Sequence, residues 1–329
     1  MHARAARLTY IAIATLFAAT LVRAQQPPQA TPPPPALTAA EARELLFSNA
    51  EPNSAADACA RLPERDASVD CLLSERYASD PAAQRIALSL RRELNVVAGI
   101  ETPHTMNGGF RGMIRIVGEA PVGPHRRHLE WVSRALRDFD QFAQGLARHA
   151  QRPLAYHPLP TALRFLRSVN RTTPSAYARD WRVSYNVSGS LLRNEASVRE
   201  TLFHEIFHLN DEVHTSGTQR RWSARVLTRI SDRILRRCGT NRRCLAPYAP
   251  STTTVRGGTY YAFQPGNGGS VPEYAAELAL RYYQEQRAAL RHERFDRGAF
   301  KCGPPENAEA WRLLVDEFFG GADLISACP

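Results

Sequence analysis

A chain of 329 residues with 43% hydrophobic and 22% charged residues carries enough apolar material for a substantial core, which excludes a largely disordered polypeptide. The formal charge of +10 rests almost wholly on arginine, because Lys301 is the sole lysine. Such a bias reflects GC-rich coding as readily as attraction to anions, and with no nucleic-acid-binding motif in the sequence no nucleic-acid partner is expected.

Arg4 and Arg7 precede an apolar run at 8–22, and Val22-Arg23-Ala24 follows it, so residues 1–24 have the form of an export signal cut before Gln25. The run is short of the roughly 20 residues that cross a bilayer, and no other segment approaches that length, so no stable membrane span is expected. Residues 25–37 contain QQPPQATPPPP, which reads as an extended tether. Residues 38–99 read as a helical extension in which Ile86, Leu90, Leu94 and Val97 recur at helical intervals; a small subdomain and a pro-segment both stay open.

Six cysteines fall into three sequence-local pairs, Cys59 with Cys71, Cys238 with Cys244 and Cys302 with Cys328, and none has the C-x-x-C spacing of a structural zinc site. Disulfides are the expectation, and with the export signal they place the protein in the periplasm or outside the cell.

Residues 100–329 read as one α+β domain. Residues 112–117 (GMIRIV), 162–169 and 181–187 (WRVSYNV) have the length and patterning of strands. Between the first two, Leu129, Val132, Leu136, Phe139, Ala143 and Leu146 mark a long helix at 126–149 with one apolar face against the sheet. Asn194 is a natural N-cap, and Val198, Leu202, Phe203, Ile206, Phe207 and Leu209 give the next helix, 195–210, its apolar side. A further helix carries Trp222, Val226, Leu227, Ile230, Ile234 and Leu235 and stops at Cys238-Gly239. On it Arg221, Arg225, Arg229, Arg233 and Arg237 repeat every four residues, which reads as a solvated basic face. Residues 251–269 read as a loop with a short strand at 259–263, and Pro272 opens a helix at 273–290.

The chemistry sits in ETLFHEIFHLND. His204 and His208 are four residues apart, so on a helix both imidazoles leave one face and can grip one metal ion, with Glu205 beside them. A bound zinc ion would lower the pKa of its water, and the neighbouring carboxylate could take the proton as that water attacks a carbonyl.

This H-E-x-x-H arrangement resembles the active-site helix of the zincin metallopeptidases. The resemblance implies a small mixed sheet with a backing helix and an active-site helix, one Zn2+ per chain on His204 and His208, Glu205 as general base, and a peptide or protein substrate. In VPEYAAELALRYY, Glu273 and Glu277 resemble the E-x-x-x-E/D element of the glutamate-ligand group, which makes Glu273 the third ligand and Glu277 the carboxylate that orients a ligand histidine. The same helix is similar to its counterpart in lethal-factor-like peptidases. His214 is the competing third ligand, at metzincin spacing in HEIFHLNDEVH, although Asp211 stands where that family has glycine and no methionine follows the motif. Tyr260, Tyr261, His214 and Arg281 are candidates for stabilising the oxyanion, and of these Tyr261 is taken as the donor. By the same resemblance WRVSYNV is the edge strand that would pair with an extended peptide. Two other functions stay open: a zincin scaffold that binds without turnover, and a zinc amidase acting on a non-protein amide.

Overall fold

The computed structural model describes residues 34, 36–47, 53–108, 112–214, 221–255, 258–264 and 270–328. The expected export signal and most of the Pro-rich tether lie outside these residues.

Four helices come first, α1 (Ala39–Leu46), α2 (Ser54–Ala60), α3 (Arg65–Arg76) and α4 (Pro81–Leu94). Local chemistry sets their ends. The Thr38 hydroxyl accepts from Glu41 N while the Glu41 carboxylate accepts from Thr38 N, a reciprocal cap that opens α1. Asp80 caps α4 through the amides of Ala82 and Ala83, with Pro81 in its first turn, and Asn95 ends it in the left-handed region at φ 55°. That stop comes before Val97. The residue that the periodicity placed on a helix instead opens a strand, because pairing with a distant segment overrides local period.

Six strands form one mixed sheet: β1 (Val97–Ile100), β2 (His104–Asn107), β3 (Met113–Gly118), β4 (Ala162–Ser168), β5 (Ala176–Arg179) and β6 (Arg182–Asn186). β4 is central. β6 runs parallel along one side of it, while β1 in parallel and β3 in antiparallel share the other. β2 and β5 close the two ends, each antiparallel to its neighbour. β5 and β6 are joined by the two-residue turn Asp180-Trp181, both at positive φ (52° and 56°), the geometry that suits the twist of a tight hairpin. The expectation for WRVSYNV is corrected here: β6 is paired on both sides, and β5 is the edge strand. Its alternation was legible, but which strand ends up outermost depends on that turn folding β5 back outside β6.

The N-terminal helices belong to the main core. Leu45, Leu46, Leu72, Leu73 and Tyr77 lie in the same buried cluster as the central helices, and a Cβ on Gly99 of β1 would meet Leu45 Cγ of α1 at 2.2 Å. The boundary expected after residue 99 therefore falls inside β1. Helix α5 (Arg126–Ala147) buries Leu129, Val132, Leu136, Phe139 and Leu146 as the pattern predicts, with Phe142 rather than Ala143 completing the face. His128 on α5 meets Tyr185 of β6, Nδ1 to the hydroxyl at 2.8 Å, which fixes the helix on the sheet.

The later helices are α6 (Glu195–Val213), α7 (Trp222–Val226), α8 (Thr228–Cys238), α9 (Arg242–Leu245), α10 (Ser270–Leu290) and α11 (Pro305–Phe318). The helix expected from Trp222 is thus interrupted at Leu227. The strand expected at 259–263 is a single bridge between Thr254 and Tyr260 followed by a 3-10 turn at Tyr261–Phe263. The arginine stripe is not simply solvated, since Arg233 and Arg237 pair with Glu309 and Glu306 of α11 and Arg221 with Glu212.

All three expected disulfides are present, with Cα–Cα separations of 5.4, 5.3 and 5.3 Å, and they point to folding in an oxidising compartment. Among the described residues no helix is long and apolar enough to cross a membrane.

Candidate metal centre

Helix α6 is held rigidly around its motif. Asn194 caps it by accepting from Ser197 N at 2.9 Å, and Ser197 Oγ accepts in return from Asn194 N at 3.3 Å. Phe203, immediately before the first motif histidine, stacks on Tyr283 of α10 at 4.3 Å and meets Phe139 of α5 edge-on at 5.4 Å. Two residues past the second histidine, fully buried Asn210 accepts from His157 N at 2.7 Å and donates to His157 O at 3.0 Å. The motif is clamped from both ends.

Between those clamps the i, i+4 spacing brings His204 Nε2 and His208 Nε2 to 3.0 Å. Glu273, in the first turn of α10, sets Oε2 at 3.1 Å from His204 Nε2 and 3.6 Å from His208 Nε2. These three ligand atoms all lie within 4.8 Å of one another, the one such group found among the described residues. One turn along α10, Glu277 Oε1 stands 3.1 Å from His204 Nδ1. The side chains are nearly out of solvent, from 6% exposed for Glu277 to 15% for Glu273.

The donor chemistry fits a metal ion. The Glu277 contact assigns the proton of a neutral His204 ring to Nδ1, which leaves a lone pair on Nε2. His208 Nε2 and Glu273 Oε2 bring further lone pairs to the same point, so a cation among the three atoms could be held by all of them. Two imidazoles and one carboxylate are a donor set that zinc takes while keeping a position open. Where a proton takes the place of a metal ion, the same cluster holds it firmly. Burial alone would lower His204, but its hydrogen bonds to Glu273 and Glu277 outweigh burial and hold the ring well above its ordinary value. Burial raises Glu273, yet the bonds from His204 and His208 bring it well below the carboxylate range. Glu205 is raised by burial, with the two histidines opposing.

Tyr261 sits in the 3-10 turn packed on α10, its ring 5.9 Å from that of His204. Burial first, then the carboxylates of Glu273 and Glu205, push its hydroxyl far up, so it stays a neutral donor beside the cluster. His214 is elsewhere. Because α6 continues to Val213 without a glycine to break it, six residues carry His214 about 9 Å along the axis from His208. There its Nδ1 meets Glu317 at 3.1 Å, its Nε2 faces Ala155 O at 3.4 Å, and its ring lies on Phe318 at 4.6 Å. Asp211, which occupies the glycine position, is fully buried and accepts from Ser223 N at 2.7 Å and Ser223 Oγ at 2.5 Å, tying the end of α6 to α7. Arg281 is likewise drawn into structure, bonded to Glu285 and Gly298 O, and Tyr260 lies under Arg242.

No family model matches this chain, and no curated protein or solved structure matches it. The functional argument rests on the site's own residues. Sequence reading missed the aromatic stack around Phe203 and the Asn210 clamp; their only signal was a polar Asn and a Phe on the inner face of an otherwise apolar helix.

Proposed function

We propose that the protein is an exported zinc-dependent peptidase of the zincin type, with the glutamate-ligand arrangement. The observation that carries this reading is the convergence of His204, His208 and Glu273 ligand atoms within 4.8 Å, with Glu277 behind His204. When bound, zinc would acidify a water molecule and polarise the substrate carbonyl. The remaining work falls to side chains. Glu277 fixes the tautomer and orientation of His204. Glu205, raised by burial, takes the proton of the attacking water and passes it to the leaving amine. The neutral hydroxyl of Tyr261 donates to the oxygen on which negative charge develops. β5, the edge strand packed near α6, offers its outer backbone groups to an extended peptide. The three disulfides agree with a chain that works outside the cytoplasm.

The test is metal content and peptide hydrolysis of the purified protein beside His208→Ala, Glu273→Ala and His214→Ala. One zinc per chain, lost in the first two variants and kept in the third, is the expected result. A wild type that binds no zinc when supplied with it overturns the reading. Stoichiometric zinc without cleavage of any peptide in a library would instead favour a binding role for the scaffold.

A further inference from the structure

Along α10 from the metal ligands lies an open cleft of about 770 Å³, lined by α10, the segment at 246–249, the turn at 297–304 and the C-terminal stretch at 324–327. Its walls are largely apolar, with Pro247, Phe300 and Ile325 among them, and its charged groups are Arg281 and Arg297. Arg281 is eight residues beyond Glu273, so it sits about 12 Å further along the helix axis. That separation is three to four residues of extended peptide at roughly 3.3 Å each.

The two arginines play different parts. Arg281 is 2% exposed and is largely satisfied by Glu285 Oε1 and Gly298 O, each at 2.5 Å, with Nη1 left without a partner. Arg297 is exposed and makes no ion pair with any described residue. Its charge is disfavoured by desolvation and by Arg281, which lines the same cavity, and favoured by Glu285, Glu277 and Tyr260. A carboxylate entering the cavity would relieve the Arg281–Arg297 repulsion and find a guanidinium suited to a two-pronged hydrogen bond, while its methylene stem packed on the apolar walls.

We propose that this cavity is a carboxylate-recognising subsite, taking an acidic side chain or a chain terminus carried three or four residues from the bond that is cut. The proposal rests on the peptidase reading for its place in a reaction, and its test does not need turnover. The full disulfide-bonded chain, stripped of metal, is titrated calorimetrically with hexapeptide amides containing Glu, Gln or Lys and with a Glu-free hexapeptide ending in a free carboxylate. The expected result is about tenfold tighter binding of a carboxylate-bearing peptide than of the Gln amide, weakening with salt. Arg297→Ala should abolish that preference, and Arg297→Glu should turn it toward the Lys peptide. Preference for the free-terminus peptide over the Glu amide keeps the subsite and assigns its carboxylate to a terminus. Equal affinity for Glu and Gln amides with no gain from a free terminus, or a preference unchanged in both variants, overturns it. Running the same peptides with zinc-loaded protein separates the two ideas: discrimination without any cleavage leaves the subsite standing and removes the peptidase.

Discussion

Replacing Glu277 by Gln is the perturbation that most directly probes the metal centre without touching a ligand. Glu277 Oε1 lies 3.1 Å from His204 Nδ1, and its side chain is 6% exposed. Glutamine keeps the shape and an accepting oxygen but removes the charge that fixes the imidazole proton. Loss of such a carboxylate weakens metal binding by about 10–100-fold, or about 1.4–2.7 kcal/mol at about 1.4 kcal/mol per tenfold. A separate effect on stability follows because the other oxygen, Oε2, is buried with no hydrogen-bond partner. An amide NH2 at that position becomes a buried donor without an acceptor, which costs about 1–3 kcal/mol of stability. Competition against a chelator of known affinity reads the zinc constant, and urea unfolding of the metal-free protein reads the stability term. Zinc binding by the variant as tight as in wild type would refute the argument, because Glu277 would then not be holding a ligand.

Glu205→Gln should keep its zinc while peptide hydrolysis falls by about 10²–10⁴-fold, as expected for loss of a general base; parallel loss of metal would show that Glu205 has a structural role instead. His128 is lowered by burial, then by Arg127 and His125, to about 4 from an ordinary 6.5, so the folded state keeps it neutral while the unfolded chain takes the proton first. Its contribution is therefore complete above about pH 6.5 and shrinks by about 3 kcal/mol as pH falls to about 4. Urea unfolding between pH 4 and 7 should show that slope, reduced in His128→Gln; an identical slope in the variant would remove His128 as its origin. Glu285→Ala strands the guanidinium of Arg281, 2% exposed, and should destabilise the protein by about 3–5 kcal/mol in thermal or urea unfolding. A change below about 1 kcal/mol would mean that the cavity rehydrates Arg281.

What was legible in the sequence is what short-range geometry determines. Two histidines four residues apart on an amphipathic helix must share a face, and cysteines 6 or 12 residues apart are held close by the chain itself. Glu273 came from resemblance, and no local rule would have joined it to a helix 69 residues upstream. The misplaced features were those settled by distant partners. Val97 left its helical period to pair with Ala162, and WRVSYNV became internal because a tight turn laid β5 outside it. His214 had a plausible spacing, yet its direction depended on whether α6 would break at Asp211. Buried bonding to Ser223 kept the helix intact.

The seat of α1 on β1, tight enough that only a glycine fits at position 99, bears on how the protein can be cut down. A truncation starting at residue 100 would strip the partner from the first half of β4 and bare the apolar side of the central sheet. The product would carry a sticky open flank on the sheet, inviting self-association. A shortened chain that keeps this packing therefore begins ahead of α1.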